Sequence, residues 1–506
     1  MYGDTRSGDR ETGGHDAMVA IAELMETSRV TFGTSGARGL VADMTDAVCY
    51  AYTVGFVQYL EKIGALPRPD RRIAIAGDLR ASSGRIMAAV GKAVTDRGYQ
   101  PIHCGRIPSP AVALYGLQQA IPAIMVTGSH IPEDRNGIKF NTAQGEILKQ
   151  DEDGIRAQIV SLPAQFDEHG MLIVSFKLGP EDPAARTAYL QRWFDTFPED
   201  YLHGKRLGLY QHSAVGRDLL LEMYRGLGAD VVPLARSETF IPVDTEAIRP
   251  EDARLAAEWA REAHFDAIVS TDGDGDRPLI SDETGAWLRG DVAGILCARF
   301  CNAEVVVTPV SSNTAVEKCG WFREVRRTRI GSPYVIAEML GAVVNGATRV
   351  VGYEANGGFL TASPLPIDGQ SLAPLPTRDP VIVQLALLGL SIREGLPISQ
   401  LLAALPRRVT ASDRLRDVPT SVSQALIERL ASDGPAAINA LWPELGPVAH
   451  LDTTDGLRIT FENGDIIHLR PSGNAPELRC YSEAATAERA ETLLRLALAK
   501  VGEMRR

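Results

Sequence analysis

Three stretches of this chain follow one plan without sharing a sequence, and no other feature restricts the fold as much. RRIAIAGDLRASSGRIMAAVGKAVTDRGYQPIHCG carries a β-branched run ending at Gly77, a polar turn, a helical pattern, Gly98 and a second short apolar run. KRLGLYQHSAVGRDLLLEMYRGLGADVVPL and AEVVVTPVSSNTAVEKCGWFREVRRTRIG keep the same order. Strand, turn, helix, glycine, strand is the pattern of a βαβ unit, and its repetition implies parallel sheets. After each copy comes a further apolar run that ends in an unusual polar loop: AIMVTGSHIPEDRNGIKF, DAIVSTDGDGDRPLI and TRVVGYEANGGFL. Ligand chemistry in α/β sheets gathers beyond the carboxyl ends of strands, so these loops are expected to face one cleft. The C-terminal stretch differs. GLRITFENGDIIHLRPSGNAPELRCYSEA alternates around Asn463-Gly464, a strong hairpin signal, and a helical AERAETLLRLALAKVGEM follows. The expected fold class is α/β: three similar mixed α/β domains with βαβ units, plus a C-terminal α+β domain, around a central cleft.

Charge and apolar content narrow the partners. The chain has 52 Lys+Arg against 64 Asp+Glu, a net charge of −12. A nucleic-acid or anionic-membrane binder would be basic, so neither partner is expected. A hydrophobic share of 45% with 23% charged residues is that of a globular protein. No run reaches the roughly 18 apolar residues a membrane helix needs. The start, MYGDTRSGDRETGGHD, has no apolar segment of the signal-peptide kind and reads as a tail. Six scattered cysteines (Cys49, Cys104, Cys297, Cys301, Cys319 and Cys480) are expected to be reduced thiols of a cytoplasmic protein. Cys297 and Cys301, one helical turn apart, have no second Cys/His pair at zinc spacing and are expected to face the core.

The polar loops carry the chemistry. Asp272, Asp274 and Asp276 alternate with glycines after an apolar strand. Three carboxylates so close repel one another unless a cation joins them, and hard oxygen ligands in a flexible loop suit Mg²⁺. An EF-hand would need glycine where Arg277 stands, and helical rather than strand-like flanks. An aspartyl-nucleophile phosphatase would use a strand-end Asp pair; a third Asp followed by Arg suits a metal clamp beside a phosphate. Ser129 follows a strand and a glycine, with His130 beside it and Lys139 further on. A serine that carries a phosphoryl group needs such cationic surroundings. RPSGNAPELR offers Arg470, Ser472, Gly473, Asn474 and Arg479 as a phosphate cradle. FGTSGARGL places Thr34, Ser35 and Arg38 among glycines, as a second anion site or a plain turn.

Together these loops resemble those of the α-D-phosphohexomutases, the phosphoglucomutases, phosphomannomutases and phosphoglucosamine mutases, in the family's order from residue 31 to 495. FGTSGARG resembles the family's N-terminal active-site loop, TGSHIPEDRNGIKF its phosphoserine loop and GYEANGGF its sugar-recognition loop. DGDGDR matches the metal loop unchanged, and RPSGNAPELRCYSEA resembles the terminal phosphate-binding loop. The resemblance implies a four-domain, heart-shaped enzyme. Residues 1–28 would be a flexible tail, 29–178 the domain with the phosphoserine loop and 179–290 that with the metal loop. Residues 291–408 would carry the sugar loop and 409–506 the phosphate-binding loop.

The implied activity is that of an isomerase, an intramolecular phosphotransferase interconverting hexose 6-phosphate and hexose 1-phosphate. It would act through a phosphoserine and a hexose 1,6-bisphosphate, which is both intermediate and activator. Ser129 would carry the phosphoryl group and, with Asp272, Asp274 and Asp276, hold Mg²⁺. Arg277 would contact the serine phosphate, Lys139 and Arg38 the reacting oxygens, and His130 the reacting hydroxyl. Arg470, Ser472, Gly473, Asn474 and Arg479 would grip the other phosphate, with Arg329 of TRIG, Thr34 and Ser35 helping to bind the substrate. Glu354 and Asn356 would read the sugar hydroxyls. A monomer or small homo-oligomer is expected, with small hexose phosphates as its partners.

Some positions depart from the family's pattern. Gly128 precedes Ser129, Ile131 replaces the usual Asn, and Asn474-Ala475 stands where Thr-Glu is common. In the sugar loop Asn356 replaces a Ser, and Gly358 stands where some members have His. An EANGG loop leans toward bacterial phosphomannomutases. Phosphoglucomutase or dual specificity is the alternative, with phosphoglucosamine mutase or a non-catalytic homologue behind it.

Overall fold

The computed structural model describes residues 16–33, 36–66, 70–472 and 476–504. The three copies of the plan fold into sheets with one core order. In the first, the parallel strands Gln100–Arg106, Arg72–Gly77 and Ala123–Val126 are followed by the antiparallel Arg135–Thr142. In the second the order is Asp230–Arg236, Arg206–His212, Ala267–Thr271 and an antiparallel Pro278–Ile280. In the third it is Glu324–Thr328, Val305–Pro309, Val350–Tyr353 and an antiparallel Phe359–Thr361. The parallel sheets implied by the βαβ pattern are therefore mixed. The polar loop after each third strand is too short for the crossover a parallel return needs, so the chain turns straight back. The first sheet is 7-stranded because Ala37–Leu40, Thr31–Phe32 and Gly145–Glu146 extend it.

Helices cover these sheets where the 3.6-residue period predicts them. Ser83–Asp96 buries Ile86, Met87, Val90, Ala93 and Val94 on one face. The third copy keeps only a short helix, Ala315–Lys318. Pro380–Glu394 is buried almost all round, which explains its apolar VIVQLALLGL. Among the described residues no single helix is long and apolar enough to cross a membrane. Cys297 and Cys301 are buried, and all six cysteines are free thiols.

The C-terminal unit is a 5-stranded antiparallel sheet in the order Val409–Arg416, Glu477–Ala484, Ile466–Pro471, Leu457–Phe461, Val448–Asp452. Asn463-Gly464 turns the hairpin, with Asn463 Oδ1 accepting the Asp465 N–H at 2.9 Å. Ala487–Met504 presses Ala490, Leu493, Ala497 and Val501 into the core of this unit. A single apolar core runs through all three α/β units, joining Met125, Leu209, Trp193, Leu296, Val306 and Leu387. That shared core fixes the units against one another and brings their polar loops together.

Candidate active site

Ser129 lies just past the end of strand Ala123–Val126 with φ at 57°, a left-handed conformation that costs a non-glycine residue about 1–2 kcal/mol. The loop is held from beneath. The Thr127 hydroxyl accepts the Ser129 N–H at 2.7 Å and donates to Asp78 at 2.7 Å. Arg80, 1% exposed, pairs with Asp78 and donates to the carbonyls of Ser129, Ile131, Pro132 and Arg135. Its guanidinium also stacks on Phe240 of the second unit, 3.9 Å from the ring centre. Gly128 is explained by this packing, because a Cβ there would lie 2.7 Å from the guanidinium carbon of Arg80. Gly128→Ala is accordingly expected to displace the serine and lower turnover about 10²-fold while the unfolding temperature barely moves. Steady-state kinetics beside a thermal melt would check this, and unchanged kinetics would refute it.

The metal-loop carboxylates meet this serine. Ser129 Oγ donates to Asp272 Oδ2 at 2.6 Å and lies 3.3 Å from His130 Nδ1. Asp272, Asp274 and Asp276 are all buried, and each brings an oxygen within 4.8 Å of the others. Lys139 Nζ donates to Asp274 Oδ2 at 2.6 Å and Asp276 Oδ2 at 2.7 Å. Ser109, at the start of helix Ser109–Gln119, donates to Asp274 Oδ2 at 2.6 Å.

Burial, then the charges of Asp274 and Asp276, drive the Asp272 carboxyl far above its ordinary range. Burial opposes the Lys139 ammonium, but the same two carboxylates outweigh it and raise its pKa. Asp274 Oδ1 and Asp276 Oδ1 are buried with no hydrogen-bond donor among the described residues. Orphaned hard oxygens and a carboxyl forced toward its neutral form fit a divalent cation of the Mg²⁺ type.

Cations line the other side. Arg38 and Arg277 bury their Nε groups with no acceptor among the described residues. Burial, then the Arg277 guanidinium, push Arg38 down to about 10. Burial and the same two arginines, Arg277 before Arg38, press His130 well below its usual value, so its ring is neutral. Guanidinium groups packed this closely suit an anion among them.

Arg378, which no sequence motif singles out, ties two loops together. It donates through Nε to Asp276 Oδ2 and through Nη1 to Glu354 Oε2, each at 3.1 Å. Asn356 spends its side-chain oxygen on the Gly358 N–H at 2.9 Å, and its carbonyl accepts from Thr245 at 2.6 Å.

A second basic cluster lies where the third unit meets the C-terminal sheet. Asp455 Oδ2 accepts from Arg470 Nε and from the Ile330 N–H, both at 2.9 Å, and Arg329 Nε donates to the Thr454 carbonyl at 3.0 Å. Arg479 stands directly across from Arg470 on one side and from Arg414 on the other. Directly opposed like charges destabilise a sheet, so this row of arginines suits an anion. Ser472 is buried and its N–H donates to the Glu477 carbonyl at 2.9 Å. Thr34, Ser35, Gly473 and Asn474 lie outside the described residues. Ser109, Arg80, Arg378, Asp455 and Arg414 escaped the sequence reading. Only the DLRASS turn after Gly77 gave any local sign, a polar cluster at a strand end.

Comparison with known proteins places the chain in a family. Models described as phosphoglucomutase/phosphomannomutase, alpha/beta/alpha domains I, II and III, match residues 29–165, 193–285 and 289–409. The C-terminal domain model of the same family matches residues 409–498. A phosphomannomutase of Sinorhizobium fredii is 45% identical over 468 residues, 92% of this chain and 98% of its own. One from Salmonella muenchen is 43% identical over 479 residues, 95% and 97% of the two chains. A crystal structure of a phosphoglucomutase/phosphomannomutase family protein from Burkholderia thailandensis superposes with a TM-score of 0.71. It is 20% identical and covers 92% of this chain and 96% of its own, a likeness of fold.

Proposed function

Since the chain belongs to the phosphoglucomutase/phosphomannomutase family, we propose that it interconverts hexose 6-phosphate and hexose 1-phosphate, with mannose the preferred sugar. The observation that carries the reading is Ser129 Oγ at 2.6 Å from Asp272, within a buried carboxylate triad that Lys139 also reaches. A serine so placed is served by charge neutralisation and alignment, which is what phosphoryl transfer demands. The mannose preference is supported by the names of the two relatives above.

In this reading the working enzyme carries a phosphoryl group on Ser129. A hydroxyl oxygen of the bound hexose phosphate forms a bond to that phosphorus as the bond to Ser129 Oγ breaks. The hydroxyl proton leaves as the new bond forms and one proton ends on Ser129 Oγ, beside the neutral ring of His130 3.3 Å away; the return transfer reverses this exchange. Lys139, Arg38 and Arg277 hold the transferring oxygens, whose charge peaks between the two bonds. Asp272, Asp274 and Asp276 would hold Mg²⁺, which when bound would supply positive charge to offset that of the phosphoryl group. The resulting hexose 1,6-bisphosphate turns over in the cleft, and its other phosphoryl group returns to Ser129. Arg470, Ser472, Gly473, Asn474, Arg479 and Arg329, with Arg414 beside them, grip whichever phosphate is not reacting. Glu354 and the Asn356 amide nitrogen meet the sugar hydroxyls, and Thr34 and Ser35 contribute to substrate binding.

Turnover of mannose 1-phosphate and glucose 1-phosphate should be compared with Mg²⁺ and a trace of hexose 1,6-bisphosphate. The expected result is isomerised sugar phosphate, without free phosphate, and about 10-fold or more higher kcat/KM for mannose 1-phosphate. Equal rates would give a dual-specificity mutase, and release of free phosphate would overturn the mutase reading.

A further inference from the structure

We propose that Arg378 is the positioning residue that sets sugar selectivity, occupying the space that the sugar loop gives up at Gly358; this rests on the mutase reading above. Gly358 stands where some members of the family have His. In the fold that space is filled: a Cβ on residue 358 would lie 2.3 Å from Arg378 Cδ and 2.6 Å from its Cγ. The guanidinium comes instead from the segment leading into helix Pro380–Glu394.

Arg378 is held rigidly. It is 2% exposed. On one side Thr377 donates its hydroxyl to Glu146 of the first unit. On the other, Asp379 accepts from the Tyr189 hydroxyl at 2.7 Å and caps the helix through the Val381 N–H at 3.0 Å. The Asp379 N–H donates to the Phe359 carbonyl at 2.9 Å, which binds the segment to the end of the sugar loop. Pinned in this way, the guanidinium spans Asp276 of the metal loop and Glu354 of the sugar loop.

A planar fork with fixed donors holds two carboxylates in set directions, an orientation that a freely rotating ammonium does not impose. Its consequence is that the Glu354 carboxylate has one orientation, referred to the metal loop and not only to its own turn. Hexoses that differ at one carbon are told apart by one or two hydrogen bonds, so the angle of that carboxylate decides which epimer is favoured. Arg378 acts through Glu354.

The test is the ratio of kcat/KM for mannose 1-phosphate to that for glucose 1-phosphate in the wild type, Arg378→Lys and Gly358→Ala. Arg378→Lys keeps the charge and loses the fork. Gly358→Ala keeps the arginine and pushes its stem aside. Both are expected to shift the ratio at least about tenfold in the same direction, chiefly through KM. If both variants slow the two sugars by the same factor, the arginine serves folding or overall charge and the proposal fails. If Arg378→Lys does not fold, Gly358→Ala decides alone: an unchanged ratio in that folded variant overturns the proposal. A wild type that turns over neither sugar phosphate would instead overturn the mutase reading, and this proposal with it.

Discussion

Ser129→Ala is expected to abolish mutase turnover, a loss on the order of 10⁵-fold or more, because it removes the atom that carries the phosphoryl group between the two half-reactions. The fold should survive. The change deletes one hydroxyl whose hydrogen bond goes to Asp272, worth about 1 kcal/mol, and an alanine meets the same left-handed backbone. The loop is held by Arg80, Asp78 and Thr127, none of which is touched. Two measurements check the expectation: coupled-assay turnover, and phosphoryl incorporation from hexose 1,6-bisphosphate followed by mass spectrometry. Wild type should take up one phosphoryl group on the peptide containing residue 129, and the variant none. Full turnover in Ser129→Ala would remove this serine from the mechanism.

Lys139→Met is expected to give the next largest effect, and its signs are informative. The side chain keeps its length and loses its charge. Removing one preorganised positive group from the reacting oxygens costs about 10²- to 10³-fold in kcat. Without divalent cation the variant should also lose stability, by about 3–5 kcal/mol, since Asp274 and Asp276 lose a buried partner. Mg²⁺ should restore much of that loss and should bind more tightly than in wild type, because a competing ammonium no longer occupies the two carboxylate oxygens. Calorimetric titration with Mg²⁺ and melts with and without chelator would measure this. Weaker Mg²⁺ binding in the variant would mean the lysine belongs to the cation site as a support and not as a rival. The pKa of Lys139 is raised in the folded state. Its stabilising contribution is therefore complete below the ordinary lysine pKa and is lost only as pH climbs through the raised value.

Much of this site was legible because its chemistry is local in the chain. DGDGDR places three carboxylates at alternate positions of one loop, and carboxylate repulsion alone calls for a cation. The three repeats predicted where each loop would stand, at the ends of strands, since hydrophobic period and glycine placement suffice to define βαβ units. Asn463-Gly464 fixed the C-terminal hairpin for the same reason: its turn geometry is a property of two residues.

What sequence alone did not reveal depends on contacts between distant parts of the chain. Arg80 reaches the Ser129 carbonyl across 49 positions, and Arg378 reaches Asp276 across 102. No spacing rule joins such pairs; the order of strands and the packing of one unit on the next create them. The mixed character of the sheets was likewise decided by loop length, which forces an antiparallel return. Gly358 shows the division most clearly. The sequence, through its family resemblance, showed only that a glycine stands at 358 where some members have His. Only the tertiary structure decided that the space belongs to Arg378, because two groups cannot share one volume and the fold had already delivered the arginine there.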